Sequence, residues 1–283
     1  MFSVIGPNPS RWKQSIKLLH HVLEVRKDDK KLRTEAMRML GDVYFQYIKD
    51  YARSAFWLRQ AIRSKKRPNF TTVVNLAECY WKLGSKPMAM VLLKQYRLDR
   101  KANSRAIKLW SNMGDYNKAS SLAQLLKKSR PAEGYLAAGN VARQAGQYKA
   151  ALEFYEKVLT AKSSSRYASQ YYQRAQTNMD TVRLYEMFDL AKIPDGKYSG
   201  TAISYKSQLT VEVIVSDRKI KSVTVTKHGD NRFFTSLKDV PEQIVARQDI
   251  KGIDAVSGAT ITSEAIVSAA SKALADGAKG ADH

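Results

Sequence analysis

The feature that most constrains this chain is a helical pattern that recurs along its first two-thirds. In "YLAAGNVARQAGQYKAALEFYEKVL", Gly139 is followed by Gly146, then by Tyr148, Ala151, Tyr155 and Val158. "NMGDYNKASSLAQLLKKSRP" sets Gly114, Tyr116, Ala119, Ala123 and Leu126 at matching offsets, and Pro131 closes the stretch. "LAECYWKLGSKPMAMVLLKQY" supplies Ala77, Tyr80, Gly84, Ala89, Leu93 and Tyr96. "MLGDVYFQYIKDYARSAFWLRQAI" supplies Leu40, Gly41, Tyr44, Tyr51, Leu58 and Ala61, with one extra residue between its helices. Each unit reads as two amphipathic helices meeting at a tight turn. Small residues let the two helices approach, and large ones fill the groove between successive units. One such unit cannot bury its apolar side alone, so units must stack.

The order of small residue, aromatic, glycine turn, small residue and bulky residue resembles the tetratricopeptide (TPR) repeat. Four repeats start near residues 33, 70, 100 and 132, and an N-terminal helix over about 11–26 reads as a half repeat. "RYASQYYQRAQTNMDTVRLYEMFDLAKI" keeps helical spacing through Tyr172, Ala175, Met179, Val182, Tyr185 and Phe188, which predicts a capping helix. The Trp and most Tyr of this part occupy repeat-defining positions and read as packing rather than as platforms for bases.

Charge divides the chain. Residues 1–193 hold 36 Lys/Arg against 15 Asp/Glu, whereas residues 194–283 hold 12 against 11, so nearly all of the net +22 lies in the first part. Pro194 and Gly196 mark the change, and the sequence predicts domains over 1–193 and 194–283. "RSKKRP" and "LLKKSRP" are basic clusters that serve equally as solvated faces or as docking points. The total charge favours one acidic surface as a partner: an acidic protein, an anionic membrane or, least, nucleic acid. No apolar run reaches the roughly 20 residues of a membrane span. "MFSVIGPNPSRWK" lacks the basic start and apolar stretch of a signal peptide. With one cysteine, Cys79, a multi-cysteine metal site and an intrachain disulfide are excluded.

The second part predicts a small α+β domain. "KYSGTAISY" reads as a strand, and "QLTVEVIVSDRKIKSVTVTKHG" as a hairpin with Leu209, Val211, Val213 and Val215 alternating. "LKDVPEQIVARQ" has helical spacing with Pro241 early in it. "TSEAIVSAASKALADG" reads as a last helix capped by Thr262 or Ser263, with Glu264 suiting its positive end and Gly277 stopping it. Before it stands "DAVSGATITS": small residues and hydroxyls at a helix N-terminus, where backbone N–H groups favour an anion. Such a cluster holds a phosphate or simply caps the helix.

Residues 195–276 are similar to the FMN-binding domain family related to flavin subunits of sodium-pumping NADH:quinone reductase and Rnf complexes. "DGKYSGTA", "VEVIVSDRKIKSVTV", "PEQIVARQ" and "DAVSGATITSEAI" carry the resemblance, in the expected order. The last piece matches the family's flavinylation motif. The resemblance implies that Thr260 is esterified to the phosphate of FMN by a separate Mg²⁺-dependent flavin transferase that uses FAD. It implies that Asp254 is part of what the transferase recognises, and that Ser257, Gly258 and Ala259 surround the attachment point. Thr262 and Ser263 contact the phosphate or cap the helix. His228, at a strand end, stands where the family often has a His, near the ring. "HGDNRFF" departs from the family's acidic pattern after that His, although Phe233 or Phe234 could stack on the flavin.

The resulting expectation is a multidomain α and α+β protein: a TPR-like solenoid followed by a small FMN-binding domain. It acts as an electron-transfer flavoprotein, a redox carrier or oxidoreductase subunit rather than a stand-alone enzyme. Neither a catalytic triad nor a metal-ligand cluster is expected. The basic array docks an acidic redox protein or an anionic membrane surface. The resemblance implies an exported location, periplasmic or on the outer face of the membrane. The alternative is a TPR adaptor whose flavin-like domain is non-redox or sensory.

Overall fold

The structure, a computed structural model, describes residues 9–279 except 66, 99, 101, 186–188, 206, 231–233, 254, 257 and 258; at 9, 234 and 279 it describes the backbone alone. The chain forms two compact units, Met1–Leu122 and Ala123–His283.

The first unit begins with α1 (Pro9–Val25), α2 (Lys30–Val43) and α3 (Tyr51–Arg63), followed by α4 (Phe70–Lys82), α5 (Lys86–Gln95) and α6 (Ser104–Asn112). Side chains placed just before the helices accept from first-turn N–H groups. Asp29 takes Leu32 N at 2.8 Å, Asp50 takes Arg53 N at 2.9 Å, Asn69 takes Thr71 N at 2.8 Å and Asn103 takes Arg105 N at 2.9 Å. Each such cap contributes about 1 kcal/mol. Gly84, Gly114 and Gly146 turn the chain between paired helices with φ of 85°, 79° and 75°, a backbone that other residues rarely adopt. The first repeat has Lys49 at that place, with φ 62°. Its extra residue is absorbed as a π-helical turn over Tyr44–Ile48, a common way of accommodating an insertion. Gly41 is small for a packing reason, because a Cβ there would stand 2.4 Å from the Leu58 side chain.

The second unit contains the end of α7 (Tyr116–Ser129), then α8 (Pro131–Gln144), α9 (Tyr148–Thr160) and α10 (Ala168–Leu184). At Gly139 a Cβ would meet the Tyr155 ring at 2.4 Å, so the helix pair closes on a fully buried tyrosine. Helix α10 is the expected capping helix, with Ala175, Met179 and Val182 buried; Phe188 lies outside the described residues.

Strands β1 (Gly196–Ile203), β2 (Gln208–Ser216) and β3 (Lys219–Lys227) form an antiparallel sheet in the order β1-β2-β3. Gly196 pairs with Val215 and Ile203 with Gln208; Val213 pairs with Val223. Asp217 and Arg218, with φ of 54° and 56°, make the tight turn between β2 and β3. The alternation is as expected: Leu209, Val211, Val213 and Val215 point inward and are fully buried.

Helices α11 (Phe234–Arg247) and α12 (Thr260–Lys279) cover the inner face. Gly200 marks the closest approach, since a Cβ there would lie 2.1 Å from the Ala269 carbonyl oxygen of α12.

Three details differ from the sequence reading. Helix α11 begins earlier, so Pro241 sits inside it, where its missing N–H leaves one carbonyl without its usual donor. Helix α12 begins at Thr260, which puts Thr262 and Ser263 inside its first turn rather than before it. Gly277 does not stop α12, which runs to Lys279; the Tyr198 ring packs there, 2.7 Å from where a Cβ would be.

One apolar core runs through the whole second unit, from Ala132, Leu136 and Tyr155 through Met179 and Val182 to Val213, Ala273 and Leu274. The change in sequence character near residue 194 and the boundary between compact units therefore fall at different places. The last repeat packs on the cap, α10, and α10 packs in turn on α12 of the sheet domain.

Candidate functional site

Of the predicted site residues, Ala259, Thr260, Thr262 and Ser263 lie at the start of α12. Thr260 is its first residue and is partly exposed. Ala259 is buried and donates its N–H to the Val256 carbonyl at 2.9 Å, immediately before the helix. Asp254, Ser257 and Gly258 lie outside the described residues.

The hydroxyls of this cluster are not equivalent. Ser263 is buried; its hydroxyl accepts from Val256 N at 3.0 Å and donates to the Ala259 carbonyl at 2.9 Å, so it ties Val256 to Ala259. Thr262, also buried, donates to an Asp230 carboxylate oxygen at 2.7 Å. Ser204, in the β1–β2 connection, donates to that same oxygen. His228 is exposed, and its Nδ1 lies 3.0 Å from the Asp230 carbonyl oxygen, which requires the proton on Nδ1. Asp230 thus ties three segments together: the connection at Ser204, the loop after β3 and the first turn of α12. The sequence reading passed over Asp230; its one signal was an acid two positions after the strand-end His. Phe233 lies outside the described residues, as does the side chain of Phe234.

Beneath the same turn lies an ion pair. Glu264, one helical turn after Thr260, is 3% exposed and accepts two bonds from Arg174 of α10, Nε to Oε2 and Nη2 to Oε1, both 2.8 Å. Burial alone would raise the Glu264 pKa. The charges of Arg174 and Arg143, with hydrogen bonds from Arg174 and Asn178, outweigh burial and hold it below the ordinary 4.5. Burial opposes charge on Arg174 too, but Glu264 raises its pKa, so it stays cationic. Glu264 is therefore not an exposed charge answering the helix dipole, as its position suggested, but an internal anchor. Next to Arg174, Gln173 donates to the Ser204 carbonyl at 3.2 Å.

The described carboxylates around Thr260 are thus engaged, Asp230 by Ser204 and Thr262, Glu264 by Arg174. The surroundings fit a phosphate-anchored group: a partly exposed threonine at a helix N-terminus, a small buried neighbour in Ala259, and a fixed first turn. Among the described residues no His, Cys, Asp and Glu cluster could hold a metal ion, and no helix is long and apolar enough to cross a membrane.

Comparison with known proteins finds a family match in each part of the chain. The FMN-binding domain matches residues 204–275, and a tetratricopeptide repeat matches residues 132–165. An uncharacterized protein of Treponema pallidum (strain Nichols) is 35% identical over 103 residues. That stretch covers 36% of this chain and 28% of the Treponema protein, so the chain spans little more than a quarter of that relative. The chain is a fusion of tetratricopeptide repeat and FMN-binding domain, a flavin-binding protein with a protein-interaction module.

Proposed function

We propose that this protein carries FMN covalently on Thr260 and relays electrons between proteins. The observation that supports this most directly is the asymmetry of the hydroxyl cluster. Thr262 and Ser263 are buried in internal hydrogen bonds, while Thr260 is partly exposed at the first residue of α12. A threonine hydroxyl is a poor nucleophile without a base, and the described carboxylates nearby already have partners. Activation therefore belongs to a separate Mg²⁺-dependent flavin transferase. The Thr260 oxygen attacks the FMN phosphorus of FAD, the phosphoanhydride breaks, AMP leaves, and the hydroxyl proton passes to a base on the transferase. The diester formed keeps one negative charge, which a helix N-terminus favours.

Bound FMN supplies one- and two-electron chemistry, while the protein sets exposure and potential. In this reading Ala259 leaves room at the phosphate, the Ser263 bonds tie Val256 to Ala259, and Asp230 fixes the loop that begins at His228. The basic array docks an acidic redox protein, with an anionic membrane surface as the other surface of suitable charge, and the protein works outside the cytoplasm.

The test is intact mass and in-gel flavin fluorescence after denaturation, for wild type and Thr260→Val, each with and without an active transferase. A transferase-dependent FMN adduct on wild type alone is expected. A colourless wild type in the presence of active transferase would overturn the covalent reading and favour a TPR adaptor.

A further inference from the structure

We infer that the capping helix α10 is a working part of the flavin-attachment site, with Gln173 and Arg174 as positioning residues for Thr260. The inference rests on Thr260 being the attachment residue.

The geometry is a closed ring of hydrogen bonds around the first turn of α12. Arg174 grips Glu264 through two 2.8 Å bonds. Gln173 reaches the Ser204 carbonyl at 3.2 Å. Ser204 donates to Asp230, and Thr262 closes the ring on Asp230 at 2.7 Å. Two adjacent residues of one helix thus hold both the β1–β2 connection and the turn that begins with Thr260.

Neither of them lies in the segment that matches the FMN-binding domain, residues 204–275, or in the matched repeat, residues 132–165. They come from the added helix between the two. A bidentate guanidinium fixes orientation as well as distance, and Glu264 is nearly sealed from water. The core supports the same conclusion, because Met179 and Val182 of α10 and Ala270 and Ala273 of α12 belong to one buried cluster.

The consequence is kinetic. A transferase must find the Thr260 turn in one conformation. If the ring is opened, that conformation becomes a fraction of the population, and the apparent KM rises by the inverse of that fraction. The chemical step, once the turn is seated, is unchanged.

The test uses the full chain, purified transferase, FAD and Mg²⁺, with adduct formation followed by intact mass. Gln173→Ala, Arg174→Met and Arg174→Lys are compared with wild type and with Gln176→Ala, an exposed position on the same helix. The expected result is a KM raised about tenfold or more for Arg174→Met and several-fold for Gln173→Ala, with kcat within about twofold. Arg174→Lys should recover part of the loss, and Gln176→Ala should behave as wild type. Faster amide exchange in the first turn of α12 should accompany the raised KM, in protein that carries no flavin. Gln173→Ala removes a single partly exposed bond, so it remains informative if Arg174→Met folds poorly.

Wild-type KM and kcat in both Gln173→Ala and Arg174→Met would overturn the inference while leaving attachment at Thr260 intact. No adduct on wild type with an active transferase would overturn attachment at Thr260, and this inference with it.

Discussion

Replacing Arg174 by Met should expose how strongly the buried ion pair holds the second unit together. Met keeps the aliphatic stem and removes the charge, leaving Glu264, 3% exposed, without its two 2.8 Å partners. Stranding one member of a buried pair costs about 3–5 kcal/mol. Arg143 still faces Glu264, which puts the expected loss at pH 7 near the lower end, about 3 kcal/mol. Across the usual range of urea slopes that is a midpoint shift of roughly 1–3 M.

The pH dependence carries the sharper signature. In wild type the folded pKa of Glu264 is depressed, so its contribution is complete above the unfolded value near 4.5 and is lost as pH falls through the folded pKa. In Arg174→Met the strongest lowering influence is gone and burial dominates, so the folded pKa rises above the unfolded one. The variant's deficit is then greatest at neutral pH and shrinks as pH falls and Glu264 takes up a proton. Adding Glu264→Gln to Arg174→Met should recover about 1–2 kcal/mol, because the stranded charge is gone. The assay is urea unfolding by far-UV circular dichroism from pH 7 down to pH 4. The four Trp all lie before Leu122, so Trp fluorescence reports separately on the first unit. A loss below about 1 kcal/mol at pH 7, or a loss that does not change with pH, would refute the reasoning.

Other outcomes follow from local geometry. Gly200→Ala should lower stability by about 3 kcal/mol, the upper end for overpacking, because the new methyl meets α12 backbone at Ala269 rather than a movable side chain; a urea midpoint within error of wild type would contradict it. Lys49→Gly should stabilise the first unit by about 1 kcal/mol by relieving a left-handed residue, measured as a rise in the Trp-detected midpoint. Cys79 is fully buried, and burial, the largest influence, pushes its thiol up to about 12. Thiolate is then scarce at pH 8, so a thiol reagent should label Cys79 only through unfolding, with the logarithm of the labelling rate rising linearly with urea.

The helical array was legible because its constraints are local and repeated. A glycine at three of the four interhelical turns, an Asp or Asn before a helix, and a small residue opposite a large one all recur within a few positions. Even the odd residue of the first repeat could be seen, although its resolution as a π-helical turn with Lys49 left-handed could not. The strands were legible from alternation, and the position of Thr260 beside the start of the last helix from the hydroxyl-rich stretch around it. Pro241 and Gly277 misled because tertiary packing overrode their usual roles: α11 accepts an internal proline, and Gly277 makes room for Tyr198. The ring around the site was out of reach for another reason. Arg174 and Glu264 are 90 positions apart, and Thr262 and Asp230 are 32 apart. No periodicity links such residues. Glu264 reads as an ordinary first-turn acid until the fold sets a guanidinium beneath it.

The continuous core of the second unit has a consequence in time. Its earliest members, Ala132 and Leu136, are made long before its last, Ala273 and Leu274. At about 5–20 residues per second, the interval between them is roughly 7–28 s of synthesis. Throughout that interval the cap exposes the apolar side that α12 will cover, whereas the first unit has all its parts and can already close. A chaperone that shields an uncovered helix would therefore act on α10, Ala168–Leu184. Slowing translation after that point would lengthen the exposure, and the attachment proposed at Thr260 would begin only once it ends.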